Sequence, residues 1–109
     1  MISNKGFKTI SPKDASTRLK SNNKALLIDV RSLEEHEEIM IPGSILVPLD
    51  ILKHEILKVV PEKDRELIVY CRSGVRASTA CGVLAGMGYT NVNNMGGILN
   101  WPYETHKGK

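Results

Sequence analysis

The amino-acid sequence predicts an α/β fold with a mostly parallel sheet and helices on both of its faces. Two short apolar runs, 25–30 and 67–70, have the length and composition of strands buried inside such a sheet. Helical patterns lie before, between and after these runs, so strands and helices alternate along the chain. This alternation indicates parallel strands that are joined by right-handed crossovers.

The bulk composition indicates a single domain. The chain of 109 residues has the size of one domain, and its hydrophobic content of 41% is enough for a single core. The net charge of +3 is mild and the basic residues are scattered, which argues against nucleic-acid binding. No segment approaches the roughly 20 apolar residues of a membrane span or has signal-peptide character. We therefore expect one domain over 1–109, in the cytoplasm, with neither a membrane nor nucleic acid as partner.

The first elements are an edge strand and an amphipathic helix. Residues 7–10 alternate well enough for a short strand. Ser11 is suited to the N-cap of the following helix and Pro12 to its first helical position. Ala15 and Leu19 then share the inner face of this helix, which should end near the asparagines at 22 and 23.

Charged residues follow the first buried strand. Asp29 and Arg31 close the run 25–30, and a carboxylate there is costly unless it is paired. We therefore expect them to form an ion pair or hydrogen bonds that support neighbouring loops. The acidic segment 34–38 predicts a solvated helical face with His36 exposed. Because no second histidine stands at ligand spacing, we expect no metal site.

The middle of the chain predicts a turn, a strand and a helix. Residues 42–43 form the turn, 45–47 a short strand that Pro48 ends, and Asp50 can cap the helix that follows. The histidine at 54 falls near the polar side of that helix. Its apolar positions recur with helical periodicity at Ile51, Leu52, Ile56, Val59 and Val60.

The C-terminal third predicts a helix end, a weak strand and a short apolar turn. Glycines within 86–89 allow a left-handed helix cap, and three asparagines weaken the strand expected at 91–95. Two glycines at 96–97 allow close backbone approach. Residues 98–101 then form a helical turn with Trp101 in the core, and the tail 105–109 is expected to be mobile.

The loop 71–76 carries the candidate chemistry. It leaves the second apolar run and enters a helix, where backbone N–H groups and the helix dipole attract anions. Gly74 removes a Cβ that would crowd a curled backbone, and successive N–H groups turned inward form an anion-binding nest. Cys71 opens this nest between two cations, Arg72 and Arg76, so its thiolate should be stabilised. The sequence therefore predicts a nucleophilic thiol at residue 71.

Cys71, Gly74 and Arg76 resemble the active-site loop of the rhodanese family, whose pattern is Cys, two residues, Gly, one residue, Arg. The resemblance extends over about 8–103 and implies a five-stranded rhodanese fold. It also implies that Asp29 and Arg31 support the active-site loop. The further stretches that agree in order and spacing are 28–31 with the acidic residues after it, 41–45, and 95–101.

The resemblance implies sulfur transfer without a cofactor. Cys71 would take sulfur from a thiosulfate-like anion as a persulfide and pass it to a thiophilic acceptor, with thioredoxin as one candidate. The backbone of Ser73, Gly74 and Val75 would bind the donor. Arg72 and Arg76 would orient it, or Arg76 would instead hold the loop by hydrogen-bonding its carbonyls. The sequence does not identify the cellular donor and acceptor.

Two other functions compete with sulfur transfer. Phosphatase or arsenate chemistry uses loops with five residues between Cys and Arg, whereas this loop has four, which indicates a smaller cradle. A binding module without catalysis usually lacks the cysteine. The family commonly has Gly-His where this chain has Ile39 and Met40, so a role for that family histidine is in doubt. Cys81, on the apolar face of the helix, should be inert.

Overall fold

A five-stranded, entirely parallel sheet forms the centre of the protein in a computed structural model that describes residues 6–108. Its order is β1-β5-β4-β2-β3, so β4 lies at the centre of the sheet. The sheet confirms the predicted α/β class. The strands are β1 (Lys8–Thr9), β2 (Leu26–Asp29), β3 (Ile45–Leu46), β4 (Leu67–Cys71) and β5 (Val92–Gly97).

Four α-helices accompany the sheet in this part of the chain. They are α1 (Pro12–Ser21), α2 (Leu33–Glu38), α3 (Leu52–Val59) and α4 (Val75–Gly86), with short 3-10 turns at Leu49–Ile51 and Ile98–Asn100. Helix α1 begins as predicted, because the Ser11 hydroxyl accepts the Asp14 N–H at 3.0 Å. None of these helices is long and apolar enough to cross a bilayer.

The start of α3 differs from the prediction. Asp50 lies inside the 3-10 turn and makes no capping bond, and Ile51 occupies the N-cap position. Pro48 explains the difference, because its carbonyl accepts the Ile51 N–H at 3.1 Å and starts the helical winding before Asp50. Ile51 and Val59 are exposed, whereas Leu52 and Ile56 carry the buried face.

The side chains of β4 alternate between two apolar cores. Leu67, Val69 and Cys71 pack in the core that holds α3 and α4, whereas Ile68 and Tyr70 pack in the core that holds α1. All five residues are buried. Helices therefore cover both faces of the sheet, as predicted, and Cys71 ends the central strand on the side of α4.

Strand β5 forms although its asparagines disfavour a strand. It runs between β1 and β4, and the Asn93 side chain donates to the Leu67 carbonyl at 3.1 Å. The Asn94 side chain accepts the Gly96 N–H at 2.8 Å where the register with β4 shifts between Val69 and Tyr70. The asparagines therefore satisfy backbone groups around a β-bulge.

The tail, which the sequence predicts to be mobile, is hydrogen-bonded to the rest of the protein at His106 and Gly108. Met40 and His106 exchange two backbone hydrogen bonds, of 2.7 and 2.8 Å, and the Gly108 N–H bonds the Glu37 carbonyl at 3.1 Å. The physical reason is that the end of α2 leaves the Glu37 carbonyl without a helical partner and that Met40, beyond the helix, has backbone groups to pair, and the tail bonds both. Residue 109 and the N-terminal residues 1–5 lie outside the described residues.

Candidate active site

The candidate nucleophile lies under a short loop. Strand β4 ends at Cys71, α4 begins at Val75, and the Gly74 N–H between them bonds the Cys71 sulfur at 3.0 Å. Gly74 has a φ of +115°, in the left-handed region that favours glycine. A Cβ on Gly74 would meet Gly96 only at 3.6 Å, an ordinary contact. Backbone conformation, and not the crowding expected from the sequence, therefore requires glycine here.

Strand β5 supports the loop from the other side. The bulge brings Gly97 into register with Cys71, and a Cβ on Gly97 would overlap the carbonyl oxygen of Arg72. That carbonyl also accepts the Leu99 N–H at 3.2 Å. The close backbone approach predicted at 96–97 is therefore present, and it fixes the path of the chain directly after Cys71.

The remaining loop residues offer backbone groups to an anion. Ser73 is exposed, and Val75 is 75% exposed with a side chain that carries no polar atom. The first turn of a helix leaves N–H groups without helical partners and bears a partial positive charge. Val75 and Arg76 lie in this first turn of α4. They directly follow Gly74, whose N–H bonds the Cys71 sulfur.

The two loop arginines have different surroundings. Arg76 makes a bidentate pair with Glu35, with distances of 2.7 and 2.8 Å, and bonds no loop carbonyl within residues 6–108. Its hydrogen bonds lower the pKa of Glu35 to about 2. Glu35 also completes a capping box with Ser32 at the start of α2. Arg76 therefore ties the first turn of α4 to the first turn of α2.

Arg72 remains available to a ligand. Its side chain is exposed and has neither an ion pair nor a hydrogen bond to any residue of the described chain. It directly follows Cys71, so its charge lies at the edge of the loop. Of the two predicted donor-orienting cations, Arg72 is the one without a counter-ion.

The ion pair expected between Asp29 and Arg31 is present and buried. The Arg31 guanidinium donates to the two Asp29 carboxylate oxygens at 3.0 and 2.9 Å. The same guanidinium donates to the Ile39 carbonyl at 2.6 Å, and the Tyr70 hydroxyl donates to Asp29 at 3.2 Å. These bonds connect the ends of β2 and β4 with the chain after α2. Asp29 and Arg31 therefore stabilise the carboxyl ends of β2 and β4, where the cysteine loop begins.

His36 belongs to this cluster, so its predicted exposure is wrong. Its Nδ1 lies 2.9 Å from the Asp29 carboxylate, and its side chain is 13% exposed. Because an ionised carboxylate only accepts hydrogen bonds, Nδ1 carries the proton. The pattern Ser32-x-x-Glu35 in the sequence is a capping-box signal that fixes the start of α2. That signal could have fixed where α2 begins, but not which of its faces packs against Asp29.

The second cysteine lies in the same apolar core as Cys71 but inside the following helix. Cys81 is fully buried in α4, and burial, with the nearby Cys71, raises the pKa of its thiol to about 12. Both cysteines are free. Burial and the raised pKa agree with the expectation that Cys81 is inert.

A cysteine that ends the central strand, accepts a backbone N–H and precedes a helix defines an α/β protein with a cysteine loop between its central strand and a helix. Residues 11–103 match the family model of the rhodanese-like domain. The chain therefore belongs to the rhodanese-like domain family, and its fold is the rhodanese fold. The predicted family resemblance is confirmed.

Similar proteins of known name are sulfurtransferases. The chain is 39% identical over 81 residues to the thiosulfate sulfurtransferase PspE of Escherichia coli, covering 74% of this chain and 78% of the relative. It is 36% identical over 93 residues to a sulfurtransferase of Allochromatium vinosum, covering 84% and 85%. The structure of the human single-domain sulfurtransferase TSTD1 has a TM-score of 0.77 at 28% identity, covering 85% of this chain and 93% of that one. These names support sulfur transfer in general terms.

Proposed function

We propose that this protein, as one domain over 1–109, is a sulfurtransferase that moves sulfane sulfur through a persulfide on Cys71. The observation that carries the proposal is the Gly74 N–H bonded to the Cys71 sulfur, next to Arg72, a cation that has no counter-ion among residues 6–108. The proposed donor is a thiosulfate-like anion, which the name of the Escherichia coli relative supports.

The loading step needs no oxidant. The Cys71 thiolate attacks the outer sulfur of thiosulfate, and the sulfur–sulfur bond of the donor breaks. The electron pair of that bond leaves on sulfite, and Cys71 retains the transferred atom as Cys–S–S⁻. Two anions, the thiolate and the dianionic donor, meet in this step, so positive groups around the sulfur lower its barrier.

The groups around Cys71 are suited to this charge. The Gly74 N–H already points at the sulfur, and the first turn of α4 contributes its N–H groups and dipole. Arg72 attracts and orients the dianionic donor at the entrance. Arg76 acts indirectly, because its pair with Glu35 holds the first turn of α4 in place.

The unloading step transfers the outer sulfur to a nucleophile. Cyanide leaves as thiocyanate and a thiol leaves as a persulfide, and in both reactions Cys71 returns to its thiolate. A yeast relative that is 36% identical over 92 residues is named thiosulfate:glutathione sulfurtransferase. That name supports a thiol as the acceptor for this chain, and a protein thiol such as thioredoxin has the same reacting group.

The proposal is tested by thiosulfate and cyanide turnover of wild type, Cys71→Ser and Cys81→Ala, with an aryl phosphate as the competing substrate. We expect at least a roughly thousandfold loss for Cys71→Ser, because its nucleophile is removed. Cys81→Ala should keep its rate within about twofold, since Cys81 takes no part in the chemistry.

Three results would contradict the proposal. Turnover that survives in Cys71→Ser would remove the assigned nucleophile. Aryl phosphate hydrolysis faster than sulfur transfer by wild type would favour a phosphatase. A folded wild type without any turnover would favour a binding module.

A further inference from the structure

Arg76 lies close to the candidate nucleophile, but its charge is balanced by a carboxylate. Its guanidinium makes a bidentate pair with Glu35, whereas Arg72 has no ion pair within residues 6–108. The pKa of Arg76 is raised, first by its hydrogen bonds to Glu35 and further by the charges of Glu35 and the Cys71 thiolate, against the opposing effect of burial. The guanidinium is therefore within electrostatic range of the Cys71 sulfur, although Glu35 holds it.

Glu35 is fixed at the start of α2 independently of Arg76. One of its carboxylate oxygens accepts both the backbone N–H and the hydroxyl of Ser32, each at 3.1 Å. The same oxygen accepts Arg76 at 2.7 Å, and the other oxygen accepts it at 2.8 Å. The hydrogen bonds from Arg76, with those from Ser32, lower the pKa of Glu35 to about 2. The carboxylate is therefore ionised at neutral pH and preorganised to hold the guanidinium.

Without Glu35, the guanidinium of Arg76 would be suited to an oxyanion. Arginine donates two parallel hydrogen bonds to a carboxylate or to a phosphate, and both ligands use the same pair of N–H groups. The Nη1 and Nη2 atoms of Arg76 donate to the two Glu35 oxygens instead. Glu35 therefore competes with any oxyanion at the first turn of α4 for the same donors.

Thiosulfate and phosphate would place their oxygens at different depths above Cys71. Cys71 attacks the outer sulfur of thiosulfate, and a sulfur–sulfur bond of about 2 Å separates that atom from the sulfur that carries the oxygens. In phosphate the central atom itself would lie against Cys71, so its oxygens would lie deeper, at the first turn of α4. Thiosulfate oxygens would lie nearer the entrance and the exposed Arg72. The pairing of Arg76 therefore affects phosphate more than thiosulfate.

We propose that Glu35 determines the specificity of the cysteine loop by holding Arg76 away from tetrahedral oxyanions such as phosphate. The proposal rests on the sulfurtransferase function proposed for Cys71. Glu35 acts through Arg76, so it is a positioning residue that touches neither the donor nor the reacting sulfur. The loop accepts thiosulfate, whose oxygens Arg72 meets, and disfavours phosphate, which needs the paired guanidinium. A purely supporting role for Glu35 predicts the opposite change, because a looser loop would bind every anion more weakly.

Glu35→Gln tests the proposal, because glutamine fits the capping-box pattern with Ser32 and removes the charge that balances Arg76. Inorganic phosphate is titrated into ¹⁵N-labelled protein without thiosulfate, and the Gly74 amide signal reports binding at the loop. We expect the phosphate Kd to fall at least about tenfold, the effect of one additional charged hydrogen-bond partner. The half-saturating thiosulfate concentration, from steady-state kinetics, should change less than about threefold.

Two further variants identify the cause of the change. Glu34→Gln removes an exposed charge from the same helix and should keep the phosphate Kd within about twofold of wild type, since a change in net charge alone is screened. The double variant Glu35→Gln/Arg76→Gln should lose the gain in phosphate affinity, because the released guanidinium is then absent.

The outcomes separate this inference from the proposed function. A phosphate Kd that is unchanged or higher in Glu35→Gln overturns the specificity role and leaves sulfur transfer by Cys71 untouched. A gain that Glu34→Gln reproduces, or that the double variant keeps, also overturns it. Wild type that never gains sulfur from thiosulfate overturns the proposed function, whereas the phosphate titration still decides whether Glu35 withholds Arg76 from oxyanions.

Discussion

Cys71 and Cys81 have different backbone surroundings although they share one apolar core. Cys71 is 1% exposed and Cys81 is fully buried, so exposure of the residue does not distinguish them. Cys71 ends a strand and receives the Gly74 N–H, whereas Cys81 lies inside α4, where burial raises the pKa of its thiol to about 12. The difference teaches that two similarly buried thiols can face different backbone groups, and we propose that the N–H at its sulfur makes Cys71 the reactive thiol.

The largest predicted effect comes from adding side-chain volume near Cys71, and the same change near Cys81 should have little effect on turnover. Gly97→Ala would place a Cβ against the Arg72 carbonyl and displace the loop after Cys71. We expect turnover to fall at least about a hundredfold and the free energy of unfolding to fall by about 1–3 kcal/mol. Steady-state kinetics and urea unfolding measure the two effects.

Gly82→Ala is the matched control, because Gly82 adjoins Cys81 in α4 and a Cβ there meets no atom within 4 Å. Alanine should raise the free energy of unfolding by about 0.5–1 kcal/mol and leave turnover unchanged. A Gly97→Ala variant with wild-type turnover would mean that β5 does not shape the loop.

The second prediction separates the two loop arginines. Arg72→Gln should raise the half-saturating thiosulfate concentration about tenfold, and added salt should partly reproduce this effect in wild type. Arg76→Gln should lower turnover more than Arg72→Gln does, because Glu35 loses the partner that holds α2 against α4. Steady-state kinetics on both variants distinguish the two effects.

Equal turnover of Arg76→Gln and wild type would remove the role of Arg76 in holding the loop. If Arg76→Gln instead weakened thiosulfate binding and Arg72→Gln did not, the donor would be bound by the paired arginine. That result would reverse the assignment made from the ion pairs.

The smallest predicted effect is the pH dependence of the pair between Glu35 and Arg76. The pKa of Glu35 is lowered from 4.5 to about 2, chiefly by hydrogen bonds from Arg76. A lowered pKa in the folded protein stabilises it above the unfolded value, and this stabilisation is lost as pH falls through the folded value. The contribution is therefore complete above about pH 4.5 and disappears toward pH 2.

Urea unfolding of wild type and Glu35→Gln at pH 7 and pH 3 tests this prediction. Wild type should be more stable by about 1 kcal/mol at pH 7, after allowance for solvent screening, and the difference should shrink at pH 3. Glu34→Gln, on the exposed side of the same helix, should show no such change. A difference that grew as pH fell would contradict the sign of the pKa shift.

The sequence was sufficient for features that depend on short stretches of chain. The apolar run before Cys71 and the small residues after it predicted the strand, loop and helix that the structure shows. Ser11 and Pro12 predicted the start of α1 because a cap is a local hydrogen bond. The alternation of strands and helices predicted the parallel sheet, because a helical crossover between two strands of one sheet joins them in parallel.

The features missed from the sequence depend on contacts between distant segments. Arg76 meets Glu35 and the tail pairs with Met40, and no local pattern specifies either contact. His36 stands among glutamates in sequence, yet α2 lies across the end of β2 and turns this histidine toward Asp29. The order of residues shows which residues are neighbours along the chain, whereas packing decides which residues are neighbours in space.

The most direct test of the central claim is the intact mass of the protein after incubation with thiosulfate, without reducing agent. Wild type and Cys81→Ala should each gain one sulfur atom, Cys71→Ser should gain none, and cyanide should remove the added sulfur. A Cys71→Ser protein that still gains a cyanide-labile sulfur would contradict the assignment of Cys71 as the sulfur carrier.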